Sequence, residues 1–274
     1  MGDFLDLEVF DPSSLPGEGT VLLVGASGKG KSYLMRDLLY HNRNKYRWTK
    51  VISGTGGSTR NGLSGIVPDI FVQQDIDAPR LKSLMSQLTQ LSVWTEANEG
   101  KFFHDPKLLL VLDDIMDQTV GKGTAENQQQ LLQIATAGRH AKTNMFILTQ
   151  DAMAVPKKAR EQATHIFIVG MPTTGSIKSI MEVLPCTVKR AQFENLVARC
   201  VADFGALVID RTVSEADKQI KRYKACFPPH EGFVVGSESS KKFHETCYDF
   251  AKASAAPAFL QSALPPPDRA PTAP

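Results

Sequence analysis

Gly25-Ala26-Ser27-Gly28-Lys29-Gly30-Lys31-Ser32 is the stretch whose reading decides the fold. A glycine, four residues and then Gly-Lys-Ser make the phosphate-binding P-loop pattern. The apolar run Thr20-Val21-Leu22-Leu23-Val24 precedes it, and Leu34, Met35, Leu38 and Leu39 follow at helical spacing. That order predicts a buried strand, a glycine-rich turn and a helix. The glycines let the backbone curl so that successive N–H groups face one anion, and the helix start adds its positive end. All eight residues are therefore candidates for binding ATP. Lys31 is expected to reach the β- and γ-phosphates, and the Ser32 hydroxyl to hold Mg²⁺.

A second informative stretch is Lys107 to Met116, KLLLVLDDIM. Five consecutive apolar residues, Leu108 to Leu112, predict a central strand covered on both faces, as in a parallel sheet. Asp113 and Asp114 then stand at its C-terminal end, where open α/β sheets place ligands. An apolar strand ending in paired acids is the Walker B arrangement: Asp113 would anchor Mg²⁺, and Asp114 would orient or deprotonate the attacking water. Further on, the apolar run Met145 to Leu148 ends in Thr149-Gln150. A polar side chain at that strand end would face the γ-phosphate beside the acids, which makes Gln150 a candidate sensor.

The chain has 274 residues, 42% hydrophobic and 22% charged, with a net charge of +2. These values fit one large α/β domain with small appendages and exclude a strongly polyanion-binding protein as a whole. Four scattered cysteines, Cys186, Cys200, Cys226 and Cys247, form no CxxC pair, so neither a zinc site nor a disulfide framework is expected. The N-terminus lacks a signal-peptide core, and no apolar run reaches membrane-spanning length, so an intracellular protein without membrane contact is expected. Division of the chain gives a lead-in segment over 1–17, an ATPase core over 18–212, an appendage over 213–250 and a disordered tail over 251–274. The tail has eight Ala and six Pro in 24 residues, a composition that supports no core.

Between the motifs, further strands are expected near Val51–Ser53, Ile70–Val72, His165–Val169 and Ala206–Ile209. Helices are expected from Pro79 through Leu91, from Leu131, from Ser176 to Leu184, and after an N-cap at Thr187. Gly121 to Gln130 reads as a polar loop entering a helix. Arg43, Lys45, Arg47 and Lys50, with Tyr46 and Trp48 between them, read either as a solvated loop or as a nucleic-acid contact. Lys218, Lys221, Arg222 and Lys224 form a second basic patch that reads as a solvated helix face more than as a groove.

Taken in order, GASGKGKS, LLLVLDDIM and GRHAKTNMFILTQ (138–150) resemble the FtsK/HerA superfamily of P-loop ATPases. Within it, the motifs look most similar to the virion DNA-packaging ATPases of large double-stranded DNA viruses such as poxviruses and of their virophage-like relatives. The resemblance implies a RecA-like (ASCE-type) P-loop NTPase, with a mostly parallel central sheet flanked by helices. It also implies a homo-oligomeric ring, pentamer or hexamer, that drives double-stranded DNA into a preformed capsid by hydrolysing ATP. Partners would be DNA, further copies of the chain, and capsid or portal vertex proteins, at assembly sites in the infected cell or in the virion. By the same resemblance, Lys31, Ser32, Asp113 and Gln150 match the family's P-loop lysine, Mg²⁺ ligand, Walker B aspartate and sensor. Asp114 stands where many members carry glutamate. The arginine finger supplied in trans has two counterparts, Arg139 and, slightly favoured, Arg160; either residue reads equally as a structural salt bridge.

Two other functions fit a P-loop. One is a kinase for a small acceptor, although Gly121 to Gln130 lacks the arginines of such a lid. The other is a nucleotide-gated assembly scaffold without fast turnover.

Overall fold

The computed structural model describes residues 7–54, 63, 65–68, 71–98, 107–115, 125–184, 188–237 and 242. The tail at 251–274, the loop residues 121–124 and Thr187 lie outside these. Eight strands form one sheet: β1 (Gly19–Val24), β2 (Trp48–Ser53), β3 (Val72–Gln73), β4 (Leu108–Asp113), β5 (Thr143–Thr149), β6 (Ala163–Val169), β7 (Gly205–Asp210) and β8 (Ile220–Lys224). Their spatial order is β3-β2-β4-β5-β1-β6-β7-β8. All neighbours are parallel from β3 through β6, whereas β6–β7 and β7–β8 are antiparallel.

The continuous apolar runs are explained by helices on both faces of the sheet. Strand side chains alternate, so Val21 and Leu23 join one core while Leu22 and Val24 join the other. Leu109 and Val111 likewise part from Leu108, Leu110 and Leu112. The first face is covered by α1 (Lys31–Asn42), which buries Leu34, Met35, Leu38 and Leu39. The second is covered by α2 (Ala78–Ala97), α3 (Ala125–Ala137), α4 (Lys157–Glu161), α5 (Thr174–Met181) and α6 (Arg190–Cys200), through residues such as Leu81, Ile134, Ile177 and Phe193. Asp77 starts α2 by accepting from the Arg80 N–H at 3.0 Å, with Pro79 in the first turn. Among the described residues, no helix is long and apolar enough to cross a membrane.

One expectation is overturned. Lys221, Arg222 and Lys224 lie on the edge strand β8, not on a helix. The Arg222 carbonyl accepts from the Phe10 N–H at 2.9 Å, and the Arg222 N–H donates to the Glu8 carbonyl at 3.0 Å. Residues 8–10 thus cover an edge that would otherwise offer unpaired backbone groups. Residues 220–224, expected in an appendage, belong to the same sheet as the P-loop strand. Of the predicted strand at 70–72, Val72 starts β3, and Ile70 lies outside the described residues.

Candidate active site

Strand order brings the motifs together. β5 lies between β1 and β4, so the three C-terminal ends meet in register: Val24 pairs with Thr149, and Asp113 with Leu148. At the end of β1 the Gly25 N–H donates to the Thr149 carbonyl at 3.1 Å. A Cβ on Gly25 would stand 1.9 Å from the Val169 carbonyl oxygen, closer than any side chain tolerates, so the loop hugs β6 only as glycine. Gly28 and Gly30 adopt left-handed backbone, φ 73° and 92°, which turns the chain into α1. No side chain caps the first turn of α1, so its N–H groups stay available to an anion in front of the loop.

Lys31 folds back over this loop. Its ammonium donates to the Gly25 carbonyl and, at 3.0 Å, to that of Ala26. Burial lowers its pKa, and the charges of Asp114 and Asp113 oppose that shift. Across the cleft, Asp113 is buried, with an oxygen 3.5 Å from the Ser53 hydroxyl. Burial and the neighbouring Asp114 push its carboxyl up to about 6, against the pull of Lys31 and Ser53. Asp114 takes left-handed backbone, φ 50°, as its N–H reaches the Leu148 carbonyl at 3.3 Å. This bend separates the two acids and brings Asp114 to Gln150, whose amide nitrogen lies 3.4 and 3.5 Å from its carboxylate oxygens.

Lys31, Ser32, Asp113, Asp114 and Gln150 all line one cavity of about 890 Å³. A hydroxyl and a carboxylate offer the hard oxygen donors that Mg²⁺ takes. The uncapped helix start and the glycine cradle suit a phosphate chain. Tyr33, Phe204 and Phe227 also line this cavity. Phe204 and Phe227 are 73% and 84% exposed, unusual for side chains of this size.

Residues 10–221 match the Poxvirus A32 protein family. The chain belongs to that family. A protein of Acanthamoeba polyphaga mimivirus, described as uncharacterised, is 23% identical to this A32-family chain over 252 residues, 89% of this chain and 84% of that one. Among solved structures, the cytoplasmic domain of the type VII secretion ATPase EccC from Thermomonospora curvata is similar, with a TM-score of 0.54 and 15% identity. That match covers 79% of this chain and 26% of EccC, and it identifies the fold as that of RecA-like P-loop ATPases. The genome packaging NTPase B204 of Sulfolobus turreted icosahedral virus 2, in complex with AMP, matches at a TM-score of 0.47 and 19% identity, over 77% of this chain and all (100%) of that one.

The two arginines of the A32-family chain part company. Arg160 is 6% exposed and spends its guanidinium inside its own fold. It donates to the Ala152 and Val155 carbonyls at 2.9 and 2.7 Å and lies 3.8 Å from Glu182. The slight preference for Arg160 as a finger for a neighbouring subunit is therefore corrected: a buried, chelated guanidinium is not displayed to another chain. Arg139 is exposed, in the single turn Gly138–Ala141 that leads into β5. It sits at the strand end opposite Gln150, roughly 20 Å away along seven residues of strand.

The basic stretch at 43–50 is also largely consumed by the fold. Tyr46 is buried, its hydroxyl accepting from the Asn144 amide at 2.7 Å. Lys45 donates to the Ser13 and Leu15 carbonyls, both at 2.6 Å, and Arg43 lies over the Tyr40 ring at 4.3 Å. Of its two aromatics only Trp48 is exposed. Phe204 and Phe227, at the end of the short helix Ala202–Phe204 and after β8, are the cavity residues that no period or motif in the sequence singles out.

Proposed function

We propose that this chain is a Mg²⁺-dependent ATPase that acts as a ring-forming translocase and drives double-stranded viral DNA into a preformed capsid. The observation that carries the reading is the convergence of Lys31, Asp113, Asp114 and Gln150 on one cavity at the C-terminal edge of the sheet. Membership of a poxvirus family supports the viral setting. In this reading ATP lies with its phosphates against the loop 25–32 and its base toward Phe204 and Phe227. Lys31 leaves the loop carbonyls for the β- and γ-phosphates. Ser32 and Asp113 would hold Mg²⁺, which supplies charge neutralisation on the phosphates when bound. Asp114 accepts the proton of the attacking water, and Gln150 orients both. The chain works in infected cells where virions are assembled, with capsid or portal vertex proteins as partners. Ring copies, five or six, contribute a cation in trans, for which Arg139 is the remaining candidate of the two arginines.

The test is a steady-state ATPase assay across protein concentration, with and without duplex DNA. Turnover per chain rises with both, and Lys31→Ala abolishes it. A rate indifferent to concentration and DNA would overturn the translocase. Transfer of the γ-phosphate to a small acceptor would make the chain a kinase. Assembly and packaging that persist in Asp114→Asn would make it a scaffold.

A further inference from the structure

Behind the P-loop, α1 carries Asp37 and His41 one turn apart, on one face of the helix. His230, from the segment after β8, comes down onto that face. One potential ligand atom from each of the three lies within 4.8 Å of the others. Asp37 is 2% exposed, a carboxylate that stays inside the protein only with partners. The Tyr223 hydroxyl donates to Oδ2, and the Cys226 N–H donates to Oδ1 at 3.3 Å. His230 Nε2 stands 3.1 Å from the same Oδ1, yet it is buried and not aligned as a hydrogen bond to it or to any other group among the described residues. The imidazole is held in this pose by stacking on Tyr40, centroids 3.6 Å apart and planes within 9°. Its backbone carbonyl is fixed by the Arg36 guanidinium at 2.6 Å.

Two ligands of a tetrahedral Zn²⁺, with bonds of about 2.0–2.1 Å, stand about 3.3 Å apart. The 3.1 Å between His230 Nε2 and Asp37 Oδ1 is close to that edge length and within ion-pair range as well. His41 sits on the exposed side of the group, its ring 5.7 Å from that of His230 and one of its nitrogens within 4.8 Å of the other two ligand atoms. The Tyr223 hydroxyl on the second Asp37 oxygen is the outer hydrogen bond that orients a ligating carboxylate.

We infer that Asp37, His41 and His230 form a binding site for a divalent transition-metal ion, with Zn²⁺ the cation that two imidazoles and one carboxylate suit best. A water would complete the tetrahedron. The bound ion fastens the segment 225–237 to α1. Ala225, Cys226 and Phe227 at the start of that segment wall the cavity in front of the P-loop, so the ion holds that wall in place. The site is separate from the oxygen donors Ser32 and Asp113 and does not depend on what the cavity binds.

The experiment titrates chelator-stripped full-length chain with Co²⁺ and then Zn²⁺, read by Co²⁺ absorption and by thermal midpoint. One Co²⁺ binds per chain with a tetrahedral spectrum, Zn²⁺ displaces it, and saturating Zn²⁺ raises the midpoint by several degrees. His41→Ala, at an exposed position where folding is safe, weakens binding at least tenfold, and His230→Gln does the same. Asp113→Asn and Cys226→Ser leave the Co²⁺ spectrum unchanged. The inference fails if the wild-type chain takes up no Co²⁺ at micromolar concentration. It also fails if His41→Ala binds as the wild type does, or if Asp113→Asn or Cys226→Ser abolishes the spectrum.

Discussion

Gln150 and Asp114 face each other across the ends of two adjacent parallel strands, the amide nitrogen 3.4 Å from the nearer carboxylate oxygen. The pair exists because Asp114 leaves β4 in left-handed backbone and Thr149 shapes the turn after β5, its hydroxyl donating to the Asp151 carbonyl at 2.9 Å. A water between them would meet an acceptor and a donor at fixed angles. In the proposed reaction Asp114→Asn removes the acceptor for the water's proton and should cost about 10²–10⁴-fold in turnover. By the same proposal Gln150→Ala removes an orienting amide and should lower turnover while sparing affinity. Both variants should bind a non-hydrolysable ATP analogue within about threefold of the wild type, measured by calorimetry, since neither residue belongs to the loop 25–32. Equal losses in affinity and turnover would place the pair in binding instead.

The start of the P-loop is set by contact with β6. A methyl group at position 25 would meet the Val169 carbonyl oxygen at 1.9 Å, and backbone cannot yield as a flexible side chain can. Gly25→Ala must push the loop off β6 and break the bond from its N–H to Thr149. Nucleotide affinity should fall at least tenfold. A Gly28→Ala control, whose Cβ meets nothing within 4 Å, pays only for its left-handed backbone and should lose less. Isothermal titration of the two variants side by side reads the difference.

The aromatic lining of the cavity leads to a prediction about affinity alone. Phe204 approaches the loop closely enough that a Cβ on Gly30 would lie 3.6 Å from its ring. It is held outward by two consecutive left-handed residues, Asp203 and Phe204, at φ 51° and 60°. Stacking of a base on an aromatic face contributes about 1–3 kcal/mol. Phe204→Ala should therefore raise KM for ATP by roughly tenfold, leave kcat nearly unchanged, and affect inorganic triphosphate binding little.

Much of this was legible in the sequence where one requirement left one solution. Glycines at fixed spacing before Lys31, and unbroken apolar runs ahead of Asp113 and Gln150, describe strands buried on both faces with polar residues at their ends. β8 was not legible, because Ile220-Lys221-Arg222-Tyr223-Lys224 mixes two inward apolar residues with cations. One of those cations, Lys221, turns back to Asp210 at 3.0 Å, a partner supplied by pairing with β7. The fate of Arg160 was equally hidden. Nothing in Pro156-Lys157-Lys158-Ala159-Arg160 says that the carbonyls of Ala152 and Val155 converge on that guanidinium; the turn between them decides it.

Arg160 and Arg139 should consequently fail in different ways. Arg160→Ala takes the guanidinium from the Val155 carbonyl, a loss of about 1–3 kcal/mol, and leaves the Ala152 carbonyl only the Val155 N–H at 3.2 Å, so the isolated chain loses stability before any assembly forms. Its thermal midpoint should drop by several degrees. Arg139→Ala, at an exposed position, should leave stability within about 0.5 kcal/mol. If Arg139 supplies the trans cation, turnover of the assembled protein falls about 10³-fold or more while that of dilute chains is unmoved. Unfolding curves and concentration-dependent ATPase rates separate these outcomes.

The last prediction concerns acid stability and rests on β6 and β7. His165 and Asp210 are antiparallel partners, both buried, with His165 Nε2 3.2 Å from Asp210 Oδ1. Lys221 donates to the other oxygen at 3.0 Å, and Thr212 donates to Oδ1 through its backbone N–H, also at 3.0 Å. Burial alone pushes the Asp210 carboxyl up, but His165, Thr212 and Lys221 outweigh it and hold the carboxyl well below the usual range. A carboxyl depressed in the folded state binds its proton more readily when unfolded, so its contribution is complete above about pH 4 and drains away as pH falls further. Denaturant unfolding between pH 7 and pH 3 should show stability declining at the acid end. Asp210→Asn should cost about 3 kcal/mol at neutral pH, because the Lys221 ammonium, 13% exposed, loses the nearer of its two carboxylates. The variant should also flatten the acid decline, since the group that takes up the proton is gone. An equally steep decline in Asp210→Asn would assign the acid sensitivity to other carboxylates.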